Sequence, residues 1–320
     1  MKKISPISHT KDLMDYHESV GDMVRSSTKA AYQDVSRKVK AHLESLGIKH
    51  SRVLITGSDA RLENPIFLRK NSPGELIVTA KTDDIAPVRD LKQIEQELKE
   101  KWFKIEELKG SEDVRMFFKW NDHVVFPTRV YDAVIAENFE PSPSERGILF
   151  EELRKWTRDV IRRFTGKVAD ARKAMRSGSS RIRWSDRPEV DFEQNLLHYD
   201  KNNFQNGVKT GSLRLVQYGL MRFIINRVRS GQSCEVDLML PSNILWRIDA
   251  LQSSKILPLS NQETEDLKFA YAYLLYMHHM VQLGSIESGQ TVFEVDAADM
   301  KDMKKMFVDL EKIIGKLSGE

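Results

Sequence analysis

The sequence predicts an α+β protein, with a small mixed sheet in its first half and helices through most of its second. Three observations carry this. Apolar residues recur every three or four positions between residues 10 and 46, short β-type runs punctuate residues 51 to 138, and helical spacing returns from about residue 145 onward. The proline-bearing stretch ENFEPSPSERG reads as a turn or linker, so the predicted domains are 1–140 and 145–320.

Val20, Met23, Val24, Ala31, Val35, Val39, Leu43 and Leu46 share one face, and Gly47 stands where a C-cap is expected. Residues 10 to 46 therefore read as one long helix that needs a partner surface. RVLIT and GELIVTAK read as strands, and VRMFFKW with HVVFPTRVYDAVI as a hairpin closed by Asn121-Asp122. Pro87 to Trp102 has a helical period, with proline first, where a missing N–H costs nothing. In the second part FEELRKWTRDVIRRF, SLRLVQYGLMRFIINRVR, SNILWRIDALQ, ETEDLKFAYAYLLYMHHMVQL and DMKDMKKMFVDLEKIIGKL are helical in spacing. A polar stretch from about 177 to 210 reads as a loop between them.

Composition bounds the function. A chain of 320 residues, 40% hydrophobic and 30% charged, is that of a globular protein rather than a disordered one. It has no run of about 18 apolar residues, and MKKISPISHTKD lacks the apolar core of a secretory signal. A cytoplasmic protein with no membrane partner is expected. The single cysteine, Cys234, excludes an intramolecular disulfide and reads as a small packing residue. A net charge of +3 is too small to imply a nucleic-acid partner without local clustering.

The stretch VLITGSDARLE, residues 53 to 63, suggests chemistry. An apolar run ends in Gly57-Ser58, with Arg61 and Glu63 close behind. Backbone N–H groups and a hydroxyl at such a strand end can hold phosphates while the guanidinium offsets their charge. A plain turn, with Arg61 and Glu63 paired to each other, is the alternative reading.

GSDARLE, followed by SPGELIVTA and FPTRVYDAVI, resembles the nucleotidyltransferase fold of the DNA polymerase beta superfamily. That signature is a Gly-Ser pair, acid-x-acid on the next strand and a third acid on a later strand. GVKTGSLRLVQYGLMRFI, residues 207 to 224, resembles the Lys-x-Gly-Gly-Leu-Arg-Asp-x-Gln segment of the PII-protein uridylyltransferase and glutamine-synthetase adenylyltransferase branch. The resemblance implies a metal-dependent nucleotidyltransferase, moving a nucleoside monophosphate from a triphosphate to a hydroxyl on a protein or small molecule. It implies Gly57, Ser58 and Arg61 at the phosphates, with Lys209 and Arg214 reaching them from the helical domain. Glu75 and Asp132 become the catalytic Mg2+ ligands.

One departure matters. Pro73 stands where the family has its first metal-binding aspartate, and proline has no side-chain ligand. A degenerate member that binds nucleotide or protein and transfers nothing is thus the rival expectation. Asp132 facing Arg129 as a structural carboxylate, Glu75 as a solvent-facing residue, and Lys209, Gly211 and Arg214 as a helix start are the bland readings.

Between Arg154 and Arg187 stand twelve Lys or Arg against Asp159, Asp170 and Asp186, with Trp156 and Trp184 among them. Such a segment suits RNA, single-stranded nucleic acid or a triphosphate, or else is a solvated helix face. His278 and His279 are adjacent and cannot share a helical face as metal ligands must, so they read as core or cap residues. Met300, Met303 and Met306 read as a packing stripe.

Overall fold

The computed structural model describes residues 10–63, 75–80, 93–94, 114–117, 127–181, 196–200, 206–233, 235–288 and 292–319. The α+β class expected from the sequence is observed. Two compact units are each assembled from separated stretches of chain. A sheet unit takes Ser19–Leu153 with Cys234–Arg247, and a helical unit takes Met1–Glu18, Arg154–Ser233 and Ile248–Glu320. Where the sequence suggests one cut at 140–145, the chain passes between the units four times.

The long helix α1 (Thr10–Ser45) forms as its spacing predicts. Its buried stripe is Leu13, His17, Val20, Val24, Thr28, Tyr32, Val35, Val39 and Leu43, whereas Met23 and Leu46 are exposed. Three members of that stripe are polar, and each is hydrogen-bonded. Thr28 donates to the Val24 carbonyl, the Tyr32 hydroxyl to Asp59, and His17 Nε2 to the Ala272 carbonyl. The helix closes with Ile48 N donating to Leu43 O at 2.9 Å across Gly47 at φ +87°, a Schellman arrangement.

In the sheet unit follow β1 (Ser51–Thr56), the single turn α2 (Gly57–Ala60), β2 (Glu75–Ala80), β3 (Val114–Phe117), α3 (Pro127–Tyr131), β4 (Val134–Ile135) and α4 (Pro143–Lys155). The strand order is β3-β2-β1-β4. β1 runs antiparallel to both β2 and β4, while β2 and β3 are parallel. This is the mixed sheet expected. Val53, Leu54 and Ile55 are fully buried in succession, as befits a strand covered on both faces. A parallel pair needs a crossover, usually helical, and the helix predicted over Pro87–Trp102 falls in this connection. Gln93–Ile94 are helical there, and the remainder lies outside the described residues.

The second arm of the predicted hairpin is corrected from residue 127 onward, while 118–126 lie outside the described residues. Residues 127–131, expected as strand, form α3, and β4 lies on the edge opposite β3. Proline cannot donate to a ladder, and its fixed φ suits the first turn of a helix, so Pro127 turns the chain away. Asn121-Asp122 lie outside the described residues. The linker ENFEPSPSERG ends in a helix, since Pro143 opens α4. Glu145 in the first turn of α4 accepts from Arg52 Nη1 at 3.1 Å and from Thr79 Oγ1 at 3.2 Å, tying α4 to β1 and β2.

The later elements are α5 (Arg158–Arg181), β5 (Leu196–Asp200), a π-helical segment (Asn206–Leu213), α6 (Arg214–Arg229), α7 (Glu235–Met239), α8 (Ile244–Ser253), α9 (Asn261–Ser288), β6 (Val292–Asp296) and α10 (Ala297–Ser318). FEELRKWTRDVIRRF, expected as one helix, is broken between α4 and α5, where Thr157 Oγ1 accepts from Val160 N at 3.4 Å. The stretch 177–210 is not simply a loop. It holds the end of α5, β5 and the start of the π-helical segment, and β5 pairs antiparallel with β6. Cys234 and the side chains of Met300 and Met303 lie outside the described residues, and Met306 is half-buried. Among the described residues no helix is long and apolar enough to cross a membrane.

In α9 every residue from Ala270 to His279 is buried. His278 and His279 are core residues, as expected, and the Tyr16 hydroxyl lies 3.0 Å from His279 Nδ1. His17, hydrogen-bonded to Ala272 O at 2.7 Å, is pushed by burial from 6.5 down to about 4, against the smaller opposing pull of that carbonyl. The folded value lies below the unfolded one, so the contribution is complete above about pH 6.5 and disappears as pH falls through about 4. It amounts to roughly 3 kcal/mol in all. Urea denaturation at pH 7 and pH 4.5 is expected to show a steeper loss for the wild type than for His17→Gln; equal losses would remove His17 as the cause.

Candidate functional site

The strand end that opens the family-like motif is built from residues turned toward protein. β1 runs out at Thr56, whose Oγ1 donates to the Arg129 carbonyl at 2.8 Å and makes no cap bond to α2. Gly57 follows at φ +76°, in the left-handed region that favours glycine. Ser58 is half-buried beside it, and the Ser58 carbonyl accepts from Glu63 N at 2.9 Å. The next charges point inward. Asp59 is 5% exposed and accepts from the Tyr32 hydroxyl at 2.5 Å, and Glu63 is 6% exposed and accepts from Arg61 Nε at 2.7 Å.

Arg61 reaches further, placing Nη1 at 3.2 Å from Asp132 Oδ2. Arg247 Nη1 donates to the other oxygen, Oδ1, at 2.7 Å. Asp132 is thus a buried carboxylate held between two guanidiniums. Its structural partners are Arg61 and Arg247, not the Arg129 suggested by sequence. It follows α3 in a turn instead of lying on a strand.

Arginine also frames Tyr131. Arg247 and Arg146 lie over its ring, at 4.5 and 4.9 Å from the centroid. Burial raises the Tyr131 hydroxyl to about 12 and lowers Arg146 to about 10, so at neutral pH the phenol is neutral and the guanidinium charged. Arg146 donates to the carbonyls of Leu238 and Leu240, and Arg247 to those of Pro241 and Ser242. Buried donors thereby meet the carbonyls of an otherwise irregular stretch. Asn243 completes the junction by capping α8 through Oδ1, with Leu245 N at 3.0 Å, while its Nδ2 donates to Arg61 O at 2.8 Å.

Gly57, Ser58, Arg61, Glu75 and Asp132 all belong to the sheet unit, and Lys209 and Arg214 to the helical unit. The register pairs Thr56 with Glu75, which puts the Glu75 backbone beside the residue that precedes Gly57. The Glu75 side chain and the whole of Ser72-Pro73-Gly74 lie outside the described residues. Lys209 lies on the π-helical segment and Arg214 opens α6, and both are exposed. Sequence reasoning missed Tyr131, Arg146, Asn243 and Arg247. One signal was available, because Arg247 falls on the apolar face set by Ile244, Ile248 and Leu251, and a charge there needs a buried partner.

The donors fit Mg2+ poorly. Mg2+ needs oxygen ligands in near-octahedral array, and both Asp132 oxygens already accept from guanidiniums. A dication arriving there meets two fixed positive charges within the same shell. Among the described residues no group of three His, Cys, Asp or Glu is arranged to hold a metal. What the cluster does well is lock residues 237–247 against the end of β1. In comparisons with known proteins, the chain matches no family model and no curated sequence.

Proposed function

We propose that this protein is a nucleotidyltransferase-like binding module in which metal-dependent transfer has been lost. The observation that carries the reading is Asp132, whose Oδ1 and Oδ2 are taken by Arg247 and Arg61 at 2.7 and 3.2 Å. In the family-like pattern that carboxylate is the third metal ligand and Arg61 a phosphate contact. Here they hold each other, and Pro73 stands at the first ligand position. The retained role is binding of a nucleoside triphosphate at Gly57-Ser58 or of a protein partner.

Calorimetric titration of ATP, UTP, CTP and GTP, with and without Mg2+, tests this. The expected result is that Mg2+ changes neither the heat nor the affinity, and that labelled nucleotide is not transferred to protein. A Mg2+-dependent affinity that Glu75→Gln abolishes would instead restore the active enzyme, which transfers a nucleoside monophosphate to a hydroxyl. The pairing of Thr56 with Glu75 is the observation that supports that second reading.

A further inference from the structure

Outside the motif region, the most strongly charged described surface belongs to α5. Phe164, Val168, Ala171 and Met175 form its buried stripe. The opposite face carries Arg158, Arg162, Ala169, Lys173 and Arg176, all exposed. From Arg158 to Arg176 the helix has seven Lys or Arg against Asp159 and Asp170, over about 27 Å at 1.5 Å per residue. A further cation comes from another element, because Arg229 at the end of α6 donates to the Trp156 carbonyl at 2.5 Å, beside the start of α5.

Among the described residues no acid pairs with Arg158, Arg163, Lys167 or Lys173. Arg176 is engaged by Glu311 at 2.5 and 3.2 Å. Arg162 meets Asp159 at 3.3 Å with both side chains more than three-quarters exposed, a contact worth little in water and easily exchanged for a phosphate. We propose that the outward face of α5 is a tract for the sugar-phosphate backbone of single-stranded nucleic acid.

Three features select that ligand. The apolar stripe of α5 is consumed in packing, which leaves no apolar face to insert into a lipid surface. The exposed cations Arg158, Arg162, Lys173 and Arg176 lie in one row along the helix, a line of charge that a single flexible strand can follow from phosphate to phosphate. Among the described side chains of α5 Val160 alone is a large exposed apolar one, and a single valine is not the aromatic or apolar cluster that dominates protein interfaces. Sequence-independent backbone contact by guanidinium and ammonium groups remains. Trp156, half-buried just ahead of α5, packs against Phe164 at 6.4 Å between centroids.

The test is fluorescence anisotropy of a labelled single-stranded uridine oligonucleotide with the full chain. Four or five phosphate contacts give a salt slope of about −3, and so a loss of about 60-fold in affinity between 50 and 200 mM salt. The triple variant Arg158→Glu, Arg162→Glu, Lys173→Glu alters exposed side chains only, and its thermal midpoint should match the wild type. It is expected to bind at least about 10-fold more weakly. No binding at 50 mM salt, binding untouched by the triple variant, or equal affinity for phosphatidylserine vesicles or polyglutamate would each overturn the proposal. If the triple variant does not fold, Lys173→Glu alone, with its expected smaller loss and shallower salt slope, decides the matter.

Discussion

Replacing Arg247 with alanine is expected to destabilise the sheet unit by about 3–5 kcal/mol. The loss has two sources. Asp132 keeps its burial but loses the guanidinium at 2.7 Å, and the Pro241 and Ser242 carbonyls lose their donor. Tyr131 also loses one of the two cations that flank its ring. Urea denaturation should show the loss directly. Arg247→Met, which keeps most of the volume, separates packing from charge and is expected to remain severely destabilised. Adding Asp132→Leu should recover much of the loss, because an apolar pair of similar size often does as well as a buried ion pair. A loss under about 1 kcal/mol for Arg247→Ala would mean that Asp132 is satisfied by Arg61 and solvent, and the structural role assigned to the cluster would fall.

The second large effect belongs to the helical unit. A Cβ added at Gly211 would lie 2.6 Å from both Cα and N of Met175 in α5. Those are backbone atoms on a packed helix and cannot rotate aside. Gly211→Ala is therefore expected to cost at least about 3 kcal/mol, at the upper end of overpacking effects, despite the roughly 1 kcal/mol that alanine ordinarily gains in a helix. Gly166 is the internal control. It lies within α5 with nothing within 4 Å of an added Cβ, so Gly166→Ala should raise the thermal midpoint. The same sign for both substitutions would refute the close contact between α5 and the π-helical segment.

Sequence patterning made the long elements legible because burial and periodicity coincide in them. α1, α6, α9 and α10 carry apolar stripes long enough to specify themselves, and even so the stripe of α1 includes His17, Thr28 and Tyr32, which a purely apolar reading passes over. Ser260-x-x-Glu263 is a start signal legible in the sequence: Glu263 N donates to Ser260 Oγ at 3.2 Å and Ser260 N to Glu263 Oε2 at 3.0 Å, a capping box that starts α9 at Asn261. β4 was overextended because FPTRVYDAVI is rich in β-formers, yet Pro127 and the two-residue pairing of Val134–Ile135 with β1 decide otherwise. β5 and β6 were missed for a different reason. Five-residue strands far apart in sequence carry no local sign of each other.

The motif region shows the same division. Gly57, Ser58, Arg61 and Asp132 were singled out by type and spacing, and Arg61 with Asp132 do meet. That Asp132 is neutralised from α8 depends on a contact across 115 residues. Short-range pattern carries no information about such a partner, so sequence alone does not separate chemistry from architecture at that aspartate.

The span between Asp132 and Arg247 also bears on how the protein is made. Ribosomes deliver roughly 5–20 residues per second, so the 115 residues from Asp132 to Arg247 occupy roughly 6–23 s of synthesis. Throughout that interval a nascent chain holds Asp132 and Tyr131 without the arginine that completes them. The sheet unit cannot mature in the order in which its strands emerge, and a fragment ending at Leu153 carries all four described strands of that sheet yet lacks the residue that closes it. Translation speed between these two positions, rather than any property of the strands themselves, then sets how long the half-built unit is open to chaperones and proteases.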